Sequence, residues 1–318
     1  MYRIGLIALV VAVVATACGG DVEVEREDPV TTTLASAGST ATTQAPGGSD
    51  AGPIEFTVGE EVWHSGFRVE IVEGAVTPEE NLLSGKIVHT LTLQLSVENL
   101  GSEPAFFGPA ATVTANTGAY VWDSGFSQAG DIPGGLSDTI ELELRVDEGF
   151  DPATATIIFG DADENRAVAP LGAGGDAAVR LEPSEIAVSG TLNMQLIDVV
   201  IGGGDLRYDV VERHTQVESG KQALMLRFDV VSRKQGSWSI FEDDFALMLP
   251  DGTLVAPDGS DLPNISGSAD GVRTEGLFVR FLVDEGSSGG YTLRFTPGSW
   301  FVGDDGVEQA TFEFVLQP

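Results

Sequence analysis

The sequence predicts an all-β protein built as two tandem antiparallel β-sandwiches. Three observations carry that expectation. Apolar and polar residues alternate with period two over many short segments, Gly and Pro clusters separate those segments, and beyond Pro53 no long stretch carries a 3.6-residue apolar stripe. Many short strands at this spacing indicate sandwiches.

The amino terminus stands apart from the rest. MYRIGLIALVVAVVATA has one basic residue, Arg3, then an uncharged run of 14 residues from Ile4 to Ala17 that ends in small residues. That run is shorter than the roughly 20 apolar residues a spanning helix needs, so residues 1–17 read as a secretory signal peptide. Next comes Cys18, the only cysteine in 318 residues. Alone it can close no intramolecular disulfide and build no multi-thiolate metal site, which leaves an inert thiol, an intermolecular bond or a modification site.

Its placement directly after a small-residue cleavage site resembles the lipobox of bacterial lipoproteins. That resemblance implies that Cys18 is acylated and begins the mature chain. It also implies an extracytoplasmic, membrane-anchored location, with two acyl chains supplying a stable anchor. Residues 18–53 then read as the lipidated cysteine and a flexible tether, because GGDVEVEREDPVTTTLASAGSTATTQAPGGSDAGP has almost no large apolar residue and no sustained period. A tether of this length spans on the order of 30 Å r.m.s..

Charge narrows the partners. With 16 basic and 49 acidic residues the chain carries a net charge of −33, and only three residues are lysines. Such a surface repels nucleic acid, so none is expected as a partner. The expected contacts are the membrane, through the anchor, and an envelope protein.

Two segments assigned as sandwiches follow, 54–170 and 184–318, joined by LGAGGDAAVRLEPS as a linker or shared edge. In the first, HTLTLQLSVEN sets Leu91, Leu93, Leu95 and Val97 on one face, and DTIELELRV does the same with Ile140, Leu142, Leu144 and Val146. GFRVEIVEG, ATVTANTGAYVW and TATIIFG fit the same class. In the second, so do TLNMQLIDVV, ALMLRFDVVS, FALMLPDGTLVAP, GLFVRFLVDEG, GYTLRFTP and ATFEFVL.

The segments also repeat each other. LTLQLSVENLGS aligns with LMLRFDVVSRKQ, ATVTANTGAYV with FALMLPDGTLV, and ELELRVDEG with FVRFLVDEG, at offsets of 133, 134 and 137. This order suggests a tandem duplication. It resembles the telokin-like, immunoglobulin-like domains of bacterial surface lipoproteins of unknown function. In that family the strand matching LTLQLSVEN commonly ends in asparagine, here Asn99, whereas the second copy has Ser232. The resemblance implies immunoglobulin-like sandwiches and an extracytoplasmic site, with no chemistry attached.

Candidate chemistry is sparse. The histidines are His64, His89 and His214, and no GxSxG elbow accompanies them. GDADENRA offers Asp161, Asp163 and Asn165 at the spacing of a calcium-loop start, but Arg166 stands where such a loop needs glycine and Gly172 where it needs glutamate. A polar hairpin explains that stretch more simply. FEDDF offers a second acidic cluster, Glu242, Asp243 and Asp244. Trp63, Trp122, Trp238 and Trp300 suit a sugar platform less well than core positions. The expectation is therefore a lipid-anchored, non-enzymatic binding or adaptor module of the cell envelope with no cofactor, and the alternative is a calcium- or glycan-binding surface protein.

Overall fold

A computed structural model describes residues 52–82, 84–122, 130–298 and 309–316. The signal peptide, Cys18, most of the tether and Trp300 lie outside these residues. All described residues belong to one compact unit, Ser39–Pro318. As expected, it is all-β: the strands are antiparallel, and among the described residues the only helical pieces are three-residue 3-10 turns.

The first half runs β1 (Ile54–His64), β2 (Phe67–Asn81), β3 (Lys86–Asn99), β4 (Ala105–Phe106), β5 (Ala111–Ala115), β6 (Gly118–Trp122), β7 (Asp131–Ile132), β8 (Ser137–Val146), β9 (Thr156–Phe159) and β10 (Ala167–Pro170). One sheet has the order β1-β2-β3-β8, the other β10-β9-β5-β6. The alternation in β3 and β8 does what period two requires. Leu91, Leu93, Leu95, Val97, Ile140, Leu142, Leu144 and Val146 are all buried, and they join a core with Ile157 and Phe159 of the opposite sheet.

The second half runs β11 (Ser184–Ile186), β12 (Gly190–Asn193), β13 (Ile197–Arg207), β14 (Asp209–Val210), β15 (Thr215–Gln216), β16 (Lys221–Ser232), β17 (Gly236–Trp238), β18 (Phe245–Met248), β19 (Leu254–Val255), β20 (Gly259–Asp261), β21 (Ile265–Gly267), β22 (Val272–Asp284), β23 (Gly289–Phe295) and β24 (Ala310–Leu316). Its main sheet has the order β11-β13-β16-β22-β20, with β12 also on β13, and faces β19-β18-β23-β24. A separate core, from Val188 to Leu316, fills it.

The two halves share one strand plan. β2-β3-β8 corresponds to β13-β16-β22, β10-β9-β5-β6 to β24-β23-β18-β19, and the small ladder β4-β7 to β17-β21. The paired VDEG segments also agree in conformation: Gly149 and Gly286 close their strands with φ of 85° and 69°, a left-handed geometry that costs other residues more.

The segment after β10 is a shared edge rather than a free connector. Val168 and Val179 exchange backbone hydrogen bonds at 2.9 and 2.8 Å, and Trp63 N–H donates to the Arg180 carbonyl at 2.8 Å. The strap thus runs between the outer strands of both first-half sheets, β10 and β1.

One element breaks the repeat. β2 and β3 are joined by a tight turn, whereas between β13 and β16 lie residues 208–220 with their own short hairpin, β14-β15. Val210 and Val217 pack on Ala223 in a small third core, so β16 is buried on both faces from Gln222 to Leu226. The polar side of this insertion meets the first half.

Candidate functional site: the seam between the halves

The insertion binds the first half through hydrogen bonds of long sequence separation. At the β1–β2 turn, Ser65 N–H donates to Gln216 Oε1 at 2.9 Å and Gly66 N–H donates to Asp209 Oδ2 at 2.7 Å. Asp209 is buried and receives Arg207 as well, Nε to Oδ1 at 2.7 Å and Nη2 to Oδ2 at 3.4 Å. Its charge is therefore neutralised by a guanidinium while it receives a backbone donor. Gly66 takes φ of 80° here, and a Cβ would stand 3.2 Å from His214 Cδ2 and 3.3 Å from the Val211 backbone. Only glycine fits that turn against the insertion without strain.

Asn99 is the second anchor. It is fully buried at the end of β3. Its Nδ2 donates to the Glu103 and Ile132 carbonyls, both at 2.8 Å, and its Oδ1 accepts Gly101 N–H at 2.8 Å. These bonds fix the amide orientation, so the 2.9 Å contact to His214 Nε2 requires that nitrogen to donate. His214 holds a left-handed conformation, φ 49° and ψ 46°, and its ring lies 5.0 Å from that of Phe67. The equivalent Ser232 of the second half is used differently, accepting Trp238 Nε1 at 2.9 Å.

Asn165 forms the third anchor. Its Nδ2 donates to the Glu218 and Lys221 carbonyls at 3.0 and 2.7 Å, Oδ1 accepts Gly220 N–H at 3.2 Å, and its own N–H donates to the Val217 carbonyl at 3.0 Å. Ser219 N–H donates to the Asp163 carbonyl at 2.8 Å, and Asp161 N–H donates to the Glu164 carboxylate at 3.2 Å. The stretch with calcium-loop spacing thus grips the insertion, with the Asn165 side-chain oxygen turned to a backbone donor rather than outward. Among the described residues no three His, Cys, Asp or Glu side chains group as a metal site.

A crevice of about 260 Å³ opens along the seam, and His64, His214, Gln216, Asp161 and Glu164 all line it. Two of the three histidines thus converge on one place, while His89 stands in β3 opposite Pro78 and Val146. His64 is 2% exposed, and its Nδ1 has no hydrogen-bond partner; the same is true of Gln216 Nε2. Burial lowers the His64 pKa to about 4, against a smaller opposing pull from the Asp209 carboxylate. Burial also lowers that of His214, while Asp209 and Glu212 pull it upward. Ser65 and Thr215 line the crevice together with both imidazoles, and among the described residues no hydrogen bond joins either hydroxyl to an imidazole.

The remaining candidates sit elsewhere. In FEDDF, Asp244 is buried and accepts Phe241 N–H at 2.8 Å, and Glu242 accepts the Ser260 hydroxyl at 3.0 Å. Trp122 and Trp238 are buried core residues, and Trp63 is half-buried in β1. The sequence did not point to Asp209, Gln216 or Gly66. The signal that finds them is the spacing between β13 and β16, longer than that between β2 and β3.

No protein family of known sequence pattern matches this chain, and no curated protein matches it. Among solved structures the chain is similar to one described as the crystal structure of the conserved domain protein from Bacillus anthracis, at 8% identity over 82% of this chain and 90% of that one, with a TM-score of 0.26. A likeness that low supports no inference about function.

Proposed function

We propose that this protein is a lipid-anchored extracytoplasmic module of the cell envelope that acts by binding, without catalysis, as a display or adaptor unit. Cys18, in its lipobox-like setting, carries the acyl chains; residues 19–53 set the reach; the two joined halves present the surface. The strand plan supports immunoglobulin-like sandwiches. In immunoglobulin lettering, β2-β3-β8 and β13-β16-β22-β20 follow A-B-E and A-B-E-D, and the facing sheets follow G-F-C-C′.

The observation that carries the non-enzymatic reading is how the chemically capable side chains are spent. His214, Asn99, Asp209 and Asn165 are all consumed in joining the halves, and neither crevice hydroxyl, Ser65 or Thr215, is hydrogen-bonded to an imidazole. A joined pair of sandwiches suits contact through end loops.

The test is crosslinking of the native protein in intact cells with mass spectrometry of the captured species, alongside Cys18→Ala. A recurrent envelope protein, lost or mislocated in Cys18→Ala, is the expected result. Turnover of an envelope substrate by the purified chain overturns the reading. A rise in melting temperature with millimolar calcium, reversed by chelator, or with a glycan replaces it with the ligand-binding alternative.

A further inference from the structure

The geometry points to the seam as an acid-sensitive catch: a proton on His64 releases the Ser65–Gly66 turn from residues 208–217 while both sandwich cores stay folded. The argument rests on where that proton would go. His64 is buried at the end of β1, and Nδ1 has nothing to bond to. A neutral imidazole tolerates this. An imidazolium has a donor at each nitrogen and leaves at least one buried and unpaired.

The buried charges around it are already committed, and the Asp161 carboxylate in the crevice is exposed to solvent. Asp209, the nearest carboxylate on β14, gives Oδ2 to Gly66 N–H and both oxygens to Arg207 of β13. From the 3-10 turn Val211–Arg213, Glu212 is drawn to Arg280 Nη1 at 2.9 Å, and Arg213 Nη2 donates to the Asp258 carbonyl at 2.9 Å. Arg280 of β22 is also shared with Asp258. On the loop after β9, Glu164 accepts Asp161 N–H, and the Arg166 stem lies by Gly160 next to the His64 ring. Opening the turn to water is the remaining way to satisfy the cation.

His214 does not serve as the trigger. Its Nε2–H donates to Asn99 in both protonation states, so protonating Nδ1 breaks no bond across the seam. His64 therefore sets the pH window. Its folded pKa of about 4 lies below the ordinary 6.5 that an opened seam restores, so the open form takes the proton first. The closed seam is fully favoured above pH 6.5, loses ground as pH falls to about 4, and changes no further below that. Between pH 7.5 and pH 5 the closing equilibrium shifts about 30-fold.

Amide hydrogen exchange on the full chain at pH 7.5 and 5.0, corrected for intrinsic rates, tests this. Peptides covering Ser65–Gly66 and residues 208–217 should lose about 30-fold in protection at pH 5, while those from β3 and β16 keep theirs. His64→Phe should remove most of the pH dependence, leaving only the part that the lowered His214 pKa contributes, and His214→Gln should retain most of it. Equal seam protection at both pH values overturns the proposal. So does loss together with the core peptides, or pH dependence that survives undiminished in His64→Phe. Should His64→Phe not fold, the NMR titration of His64 in the native chain decides: a midpoint below 6.5 with the Ser65 and Gly66 amides losing protection over the same pH range supports the catch, and titration with those amides unchanged, or a midpoint near 6.5 with the seam closed, overturns it.

Discussion

The connection between β2 and β3 and the connection between β13 and β16 occupy the same place in the repeated plan and do opposite things. The first is a tight turn closed by Gly85 N–H donating to the Asn81 carbonyl at 2.7 Å, with Leu82 94% exposed at its tip. The second carries residues 208–220, which bury Val210 and Val217 on one side and bond to the other half on the other. Two sandwiches of one strand plan have two separate cores and no fixed relation between them. A short insertion in one half supplies that relation, because backbone donors at the neighbour's turn are matched by side-chain acceptors on the insertion.

The most severe way to break the comparison is to replace residues 208–220 by a four-residue turn like that of the first half. The halves should then move independently: small-angle scattering should show a larger radius of gyration, and calorimetry two transitions in place of one. Next in size is Asp209→Ala, which strands half-buried Arg207 and the Gly66 N–H together. A loss of about 3 kcal/mol is expected in denaturant titration, with Asp209→Asn losing less because an acceptor remains.

Asn165→Ala removes the clamp on Gly220 and Lys221 and should cost about 2 kcal/mol, while Ser232→Ala in the second half, which touches no seam, should leave interhalf distances by spin-label measurement unchanged. Gly66→Ala should cost about 1–2 kcal/mol, from the left-handed turn and the His214 contact. Smallest of all, Leu82→Ser at the tip of the bare hairpin should shift stability by less than about 0.5 kcal/mol.

What could be read from sequence divides along the same line. Strands β3 and β8 announce themselves because burial alternates residue by residue, β16 and β22 through their apolar runs, and the VDEG turns because glycine marks them locally. The sandwich class followed from such short-range signals. Asn99 was singled out by resemblance alone; its role as the amide that orients His214 depends on a partner 115 residues away. Asp209 and Gln216 reach partners 143 and 151 residues distant, inside a segment with no period to mark it. Asn165 stands out in the sequence by its spacing from Asp161 in a stretch that reads as a polar hairpin, whereas its bonds to backbone of the insertion depend on partners more than 50 residues away. Acidic residues on this chain are too numerous for spacing alone to distinguish a ligand from a brace.

The strap between the halves has one more consequence. Because Val179 pairs with Val168 and Arg180 accepts the Trp63 N–H, the chain that leaves the first sandwich also seals the outer margins of β10 and β1. Cut at Pro170, a fragment of the first half would bare two strand margins at once, with the N–H groups of Trp63 and Val168 left unpaired. Such a fragment invites sheet-to-sheet association between molecules, so the smallest well-behaved piece of the first half extends through Arg180.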